Sequence, residues 1–198
     1  LHTKPTYLRT VQNSLNRNLR LQSEPENAEL VRIALLRAAK KYPEDNIYPE
    51  MLVWHFIQIK DFASAFIHAR AIDLRLGGIG VGIIELGNTA AANKDLQTAI
   101  DCFIYLAEKG EGSPYFYIAR NELLQVRFHD LTSQTPLNME KIEILEKDYS
   151  ASINELGVIS ETAILLKNHA HILSFFLDRG DEAIKVMEKA LAIVGLNE

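Results

Sequence analysis

Cysteine is nearly absent from this chain. Cys102 is the only one in 198 residues, which excludes an internal disulfide and any multi-cysteine metal centre. Exported proteins also occur without disulfides, so the compartment stays open. Glycine and proline are sparse, at 10 and 6, and leave no room for a long flexible linker or a low-complexity tract. No apolar run reaches the roughly 18 residues that a membrane span needs. An excess of positive charge is missing as well: the formal net charge is −5 and the pI is near 5.7. A sequence-independent nucleic-acid binder needs clustered Lys and Arg to displace phosphate counterions, so that class is disfavoured. The chain opens at Leu1 with neither a Met nor an apolar leader. It is read as a processed or excised piece, so any address or anchor of the parent protein is expected to lie outside it.

What is present is the balance of a globular chain, 47% hydrophobic and 24% charged. Apolar residues recur at helical spacing almost throughout, and strict alternation is nearly lacking. Leu8, Val11, Leu15 and Leu19 define one face of a first helix. A second helix is expected to start at a capping box from Ser23 to Glu26 with Pro25 in its first turn. Its apolar face is read as Leu30, Val31, Ala34, Leu35 and Ala38, and Pro43 ends it. Pro49 opens a third helix, Ser113-Pro114 a seventh, and Ser160 with Glu161 caps a ninth. Gly195 stands where a last helix needs a left-handed C-cap. The expectation is about ten helices joined by short turns, with one longer connection from Asp130 to Leu137.

Self-similarity organises these helices. Lys60-Asp61-Phe62 is followed by Ala65, and Lys94-Asp95-Leu96 by Ala99, 34 residues later. With that period the chain resembles the tetratricopeptide-repeat family. In that family a first helix carries a bulky residue and an apolar-small pair, and a second carries small residues bracketing a large one. Leu86-Gly87 matches the pair, and Ala99, Phe103 and Leu106 follow the second-helix pattern. The copy before it has Ala65, Ala69 and Ile72, with Val53 where a small residue is usual; the first copy matches at Ala38 and Pro43. Near the C-terminus Gly180-Asp181-Glu182-Ala183, Met187 and Ala190 look like another second helix after a shortened turn. Tyr115, Ile118 and Ala119 fit a first helix whose partner arrives late. The resemblance implies an all-α, right-handed superhelix of about five antiparallel helix pairs, in which each pair covers the apolar face of the next. It spans 1–198 as one repeat domain, best at 46–79 and 80–113 and most degenerate at 1–25 and 127–157. Its style is similar to long bacterial tetratricopeptide proteins, many of them of the cell envelope.

Candidate chemistry is thin. Gly77-Gly78-Ile79-Gly80-Val81-Gly82 lacks both the Gly-Lys-Ser/Thr of a P-loop and the preceding strand of a dinucleotide site. It reads as a C-cap and turn. His169 and His171 point about 200° apart on a helix and cannot share a metal. His55, His68 and His129 have no ligand partners at suitable spacing and read as satisfied or exposed. Cys102 reads as a buried structural thiol, and Glu140, Glu143 and Glu146 as a solvated face among Lys141 and Lys147. No catalytic set, metal site or cofactor is expected. The first 22 residues hold Lys4, Arg9, Arg17 and Arg20 and no acid. That basic helix either touches an anionic surface or, the favoured reading, packs its leucines on the second helix.

The resemblance places partner-binding positions on the concave side, lined by first helices. Helical phase points to Glu50, Trp54 and Gln58, then Ile84 and Asn88, then Phe116, Arg120 and Leu123. Trp54, Phe116 and Arg120 are residue types that anchor interfaces, although Trp54 reads equally well as core. Subfamilies that grip a chaperone's terminal carboxylate need basic companions to Asn88, and these are missing. The expected function is a non-catalytic scaffold that holds a protein or peptide in its groove. The rival is a structural segment that associates with its own copies; a helical ligand-binding or hydrolase domain using the histidines stands third.

Overall fold

In a computed structural model, residues 5–133 and 135–194 are described, and the side chains of all of these except Pro5, Thr6 and Val194. Among the described residues ten α-helices run in chain order: α1 Pro5–Leu19, α2 Pro25–Lys41, α3 Ile47–Gln58, α4 Phe62–Arg75, α5 Val81–Ala92, α6 Leu96–Ala107, α7 Phe116–Thr132, α8 Met139–Leu156, α9 Ala163–Phe175 and α10 Gly180–Val194. A single 3₁₀ turn, Ser160–Thr162, precedes α9, and no strand occurs among the described residues. The fold is all-helical with consecutive helices packed together. No described helix is long and apolar enough to cross a membrane. Lys4 and Gly195 lie outside the described residues. The chain divides into two compact units, Leu1–Thr98 and Ala99–Glu198, with the border inside α6.

In the first unit α2 packs on α3, α3 on α4 and α4 on α5. The turn that reverses α3 into α4 shows why Lys-Asp recurs. Lys60 takes a left-handed φ of 60°, and its N–H donates to the Ile57 carbonyl while that of Asp61 donates to Phe56. These two bonds satisfy carbonyls that a helix end leaves open. Asp61 then caps α4, its Oδ1 accepting the Ser64 N–H at 3.1 Å. Lys94 (φ 66°) and Asp95 repeat every bond at positions 34 residues on, and Asp95 accepts the Thr98 N–H at 3.1 Å. Ala65, Leu86, Gly87 and Ala90 are all buried, as small or apolar groups at close-packed positions should be.

Several local expectations give way here. Ser23 makes no capping box: Glu24 is the α2 N-cap and offers no side-chain bond, while the Ser23 hydroxyl turns back to the Arg20 carbonyl. Leu30 is 66% exposed and Ala34 is exposed, because the inner arc of α2 runs through Ala28, Val31 and the half-buried Leu35. α1 packs chiefly on α3 rather than α2. There Asn16 donates to Gln58 at 3.0 Å, and Val11 is left 40% exposed. Pro25 does sit at the first position of α2.

In the second unit α7 packs on α8 and α9, α8 on α9, and α9 on α10. Its core gathers Leu124, Ile142, Leu145, Tyr149, Ile153, Leu165, Leu166 and Ile172. Phe103, Leu106, Ala119 and the Cys102 side chain are also fully buried. The connection from α9 to α10, 176–179, is one residue longer than the Lys-Asp turns at 59–61 and 93–95, and not shorter. Met187 and Ile118, which fit the repeat pattern in the sequence, are 37% and 46% exposed. Asn138 caps α8, and the α7–α8 link shortens to 133–138 because α7 continues to Thr132. α9 begins after Thr162, not at Ser160: the Thr162 hydroxyl donates to the Gly157 carbonyl at 2.7 Å and accepts the Ile159 N–H at 3.1 Å.

Candidate functional site

A partly enclosed apolar space in the first unit sits where α4 ends. Gly77, Gly78 and Gly80 have φ of 95°, 74° and 95°, a left-handed sequence that L side chains resist. The chain thereby doubles back. Asp73, 8% exposed, holds the turn: its Oδ1 accepts the Gly80 N–H at 2.6 Å and its carbonyl the Gly78 N–H at 2.7 Å. Arg75 ties the same end of α4 to the Pro43 carbonyl at 2.8 Å. Between this turn and α3 lies a cavity of about 350 Å³, lined by Glu50, Val53, Ala69, Ile72, Asp73, Leu76, Ile79, Gly80, Val81 and Gly82. Its ionisable lining groups are Glu50 and Asp73. Burial at the cavity edge raises the Glu50 carboxyl above its ordinary range, and Asp45 nearby adds to this. A carboxylate already occupies the Gly80 N–H, so the glycine run does not form a vacant anion cradle.

The expected groove positions fall out unevenly. In the first unit Glu50 is exposed at the cavity, and Asn88 is exposed on α5. Trp54 is half-buried and packs against the cluster of Leu21, Ala28 and Val31, so much of it serves as core. Gln58 is half-buried and bonded to Asn16. Ile84 is 7% exposed and therefore faces inward, because α5 buries a broad arc of Ile83, Ile84, Leu86, Gly87 and Ala90. Val81, Glu85 and Asn88 form its outward stripe instead.

In the second unit Phe116 is 5% exposed and belongs to the core, so it cannot anchor a partner from outside. Arg120 lies over its ring at 5.9 Å and pairs with Glu155 at 2.6 Å. Arg120 and Leu123 do come together on a cavity of about 500 Å³ with Ile104, Glu108, Leu124, Arg127, Asp148 and Ser152. Its cations are engaged internally, Arg127 pairing with Asp148 at 3.1 Å.

Buried polar groups are what the sequence reading missed. His55 is fully buried, and neither ring nitrogen has a hydrogen-bond partner. Burial holds its pKa down; Arg32 acts the same way, while Glu29 and Asp61 oppose. It is neither satisfied nor exposed. Glu146 is 8% exposed, not part of a solvated face. It meets His169 at 2.9 Å and Arg179 at 3.3 Å, and Arg179 in turn bonds Glu182. Tyr149 stacks on the His169 ring at 6.5 Å, and burial pushes its phenol up to about 12. His171 packs among Phe128, Phe175 and Phe176. Among the described residues no three His, Cys, Asp or Glu side chains converge as a metal site would require. The chain matches no protein-family model, no curated protein and no solved structure.

Proposed function

We propose that this chain is a non-catalytic interaction module, a tetratricopeptide-type superhelix of helix pairs that holds a protein or peptide against its outward helix faces. The observation that carries the reading is the doubled turn. Lys60-Asp61 and Lys94-Asp95 share a left-handed lysine, an aspartate cap and the same backbone bonds 34 residues apart. A unit repeated so closely in geometry is the building block of a solenoid, whose lateral surface is its natural binding face. On the first unit the exposed positions are Glu50 and Val81 at the apolar cavity and Glu85 and Asn88 further along α5.

The test is affinity capture from a lysate of the source cells, comparing the native chain with a Val81→Asp/Asn88→Arg chain verified as helical by circular dichroism. Both positions are exposed, so the fold should survive. A protein kept by the native chain and lost by the altered one supports the reading. Equal retention of every protein by both chains removes this face from it.

One observation favours a second reading, self-association as a structural segment. Phe175, Ile184 and Leu191 are 76%, 60% and 64% exposed around the α9–α10 surface. Terminal repeats of an isolated solenoid need a polar outer face. Light scattering over a concentration series separates the two, since a mass that stays monomeric counts against self-association.

A further inference from the structure

We infer that His55 is a proton-operated latch for α2: protonating its ring releases α2 from α3 while α4 stays folded. The inference concerns the fold of the first unit and stands apart from the interaction-module reading.

The geometry carries it. His55 lies on α3, is 0% exposed, and no protein group bonds either ring nitrogen. A neutral imidazole there leaves hydrogen bonds unmade. An imidazolium adds a second N–H donor and a charge, with nothing to receive them. The surrounding groups do not compensate it. On α2, Glu29 acts on the ring, but Arg32 holds both of its carboxylate oxygens, at 2.6 and 2.7 Å. Arg32 itself opposes the charged ring more strongly than Glu29 favours it. Asp61, in the turn before α4, favours the charge, yet its carboxylate caps that helix. His68 of α4 stacks at 5.4 Å on Phe56, the neighbour of His55, and brings no negative charge. α1, which also packs on α3, carries Arg9 and Arg17 and no acid.

Water is the remaining partner for the charged ring, and the weaker of two seams opens to admit it. α2 buries Ala28 and Val31, both small or medium in size, and its N-cap Glu24 makes no side-chain bond. α4 buries Phe62, Ala65, Ala69 and Asp73 and packs on both α3 and α5. Asp61 caps its first turn, and Arg75 ties its last turn to the Pro43 carbonyl. The seam with α2 therefore gives way first. A free helix of 17 residues is marginal in water, so α2 loses its backbone bonds once it leaves α3.

Native-state hydrogen exchange of the full chain at pH 7 and pH 5 tests this, each amide rate being divided by its intrinsic rate at that pH. At both values the amides of Val31, Leu35 and Ala38 should be at least about tenfold less protected than those of Ala69 and Ile72. Opening of α2 returns His55 to an ordinary pKa of 6.5, so protons favour the open form as pH falls beneath that value. Protection of the three α2 amides should accordingly drop about tenfold to thirtyfold from pH 7 to pH 5. His55→Leu should hold that drop below about threefold. His55→Gln, polar but without a titrating group, carries the same expectation if the leucine variant folds poorly. Equal protection in α2 and α4 would mean that His55 is reached only by unfolding the whole unit. A drop below about threefold in the native chain would mean that α2 opens without uncovering the ring. A full drop that persists in a folded variant would place the proton on another group. Each of these three results overturns the latch.

Discussion

Each unit buries a histidine against aromatic neighbours, and the two treat it in opposite ways. In the first unit His55 has no partner for either nitrogen and is fully buried beside Phe56. In the second His169 bonds Glu146, which also meets Arg179, which also bonds Glu182. The first solution leaves polar atoms unsatisfied but keeps charge out of the interior. The second gives His169, Glu146, Arg179 and Glu182 partners, leaves the Tyr149 hydroxyl beside them without one, and places a carboxylate where desolvation is expensive. The lesson is that the first unit is vulnerable to protonation and the second to the loss of a partner.

The largest effect expected from breaking this contrast is at Glu146. Glu146→Ala leaves His169 buried without its acceptor and releases Arg179, which is 38% exposed and can turn to water. Removing one member of a buried pair costs several kcal/mol, and the partial exposure of Arg179 sets the figure near the low end, about 3 kcal/mol. Glu146→Gln retains an acceptor for the imidazole and should cost about half as much. Urea denaturation of the full chain reads both; a loss below about 1 kcal/mol for the alanine variant would show the network to be incidental.

His55 supplies the next effect, and it appears only in acid. Its folded pKa lies below the unfolded value of 6.5 because burial, helped by Arg32, opposes the charged ring, against Glu29 and Asp61. The unfolded chain therefore binds more protons below that value, so the contribution of His55 to stability is constant above about pH 6.5 and falls as pH drops beneath it. Between pH 6.5 and 5 a single such group removes at most about 2 kcal/mol. His68 is shifted in the same direction by burial, so the wild-type slope includes both. His55→Leu isolates the first: it should gain about 1 kcal/mol at pH 7, as an unsatisfied group is removed, and flatten the acid slope. An unchanged slope in that variant excludes His55 as the acid-sensitive group.

How much of this was legible depends on which periodicity is read. The all-helical class, the Pro25 start of α2 and the Lys-Asp repeat follow from sequence because they depend on neighbours a few residues away, whereas α3, α7 and α9 start at Ile47, Phe116 and Ala163 and not at Pro49, Ser113-Pro114 and Ser160. Both buried polar groups carried the same local signal. His55 lies four residues after Met51 and three after Leu52, on the arc of α3 that is buried. Glu146 lies four after Ile142 and three before Tyr149, on the buried arc of α8. Reading Glu140, Glu143 and Glu146 as one stripe grouped residues by charge, whereas their apolar neighbours assign Glu146 to the inner face. Ile84 and Phe116 were misplaced for a different reason. A helix covered on more than one side buries a wider arc than a single stripe predicts, and one left uncovered buries less; that depends on packing at long range.

The caps extend the comparison at smaller scale. Asp61, Asp95 and Asn138 each accept an N–H three residues on, at 3.1, 3.1 and 3.0 Å. Alanine at each should cost about 1 kcal/mol. The two aspartates should agree within about 0.5 kcal/mol if the 34-residue copies are equivalent in energy as well as geometry. Guanidinium unfolding of the three variants measures this. A spread between Asp61 and Asp95 larger than the gap to Asn138 would deny the repeat any energetic meaning.

The smallest effect lies at left-handed positions, of which Lys60 and Lys94 stand one residue before their aspartate caps and Asp178 lies in the turn before α10. Lys60, Lys94 and Asp178 have φ of 60°, 66° and 52°. A side chain with a Cβ resists this region by about 1 kcal/mol, and glycine does not. Glycine also enlarges the unfolded ensemble, which returns part of the gain. Lys60→Gly and Lys94→Gly should therefore stabilise by about 0.5 kcal/mol each, visible as a small rise in Tm. Aspartate tolerates the left-handed region better than lysine because its short polar side chain bonds locally. Asp178→Gly should then gain almost nothing, so the turns of the first unit improve where that of the second does not. Equal gains at all three sites would mean that backbone strain alone sets the energy of these turns, with no contribution from the residue type each unit has placed there.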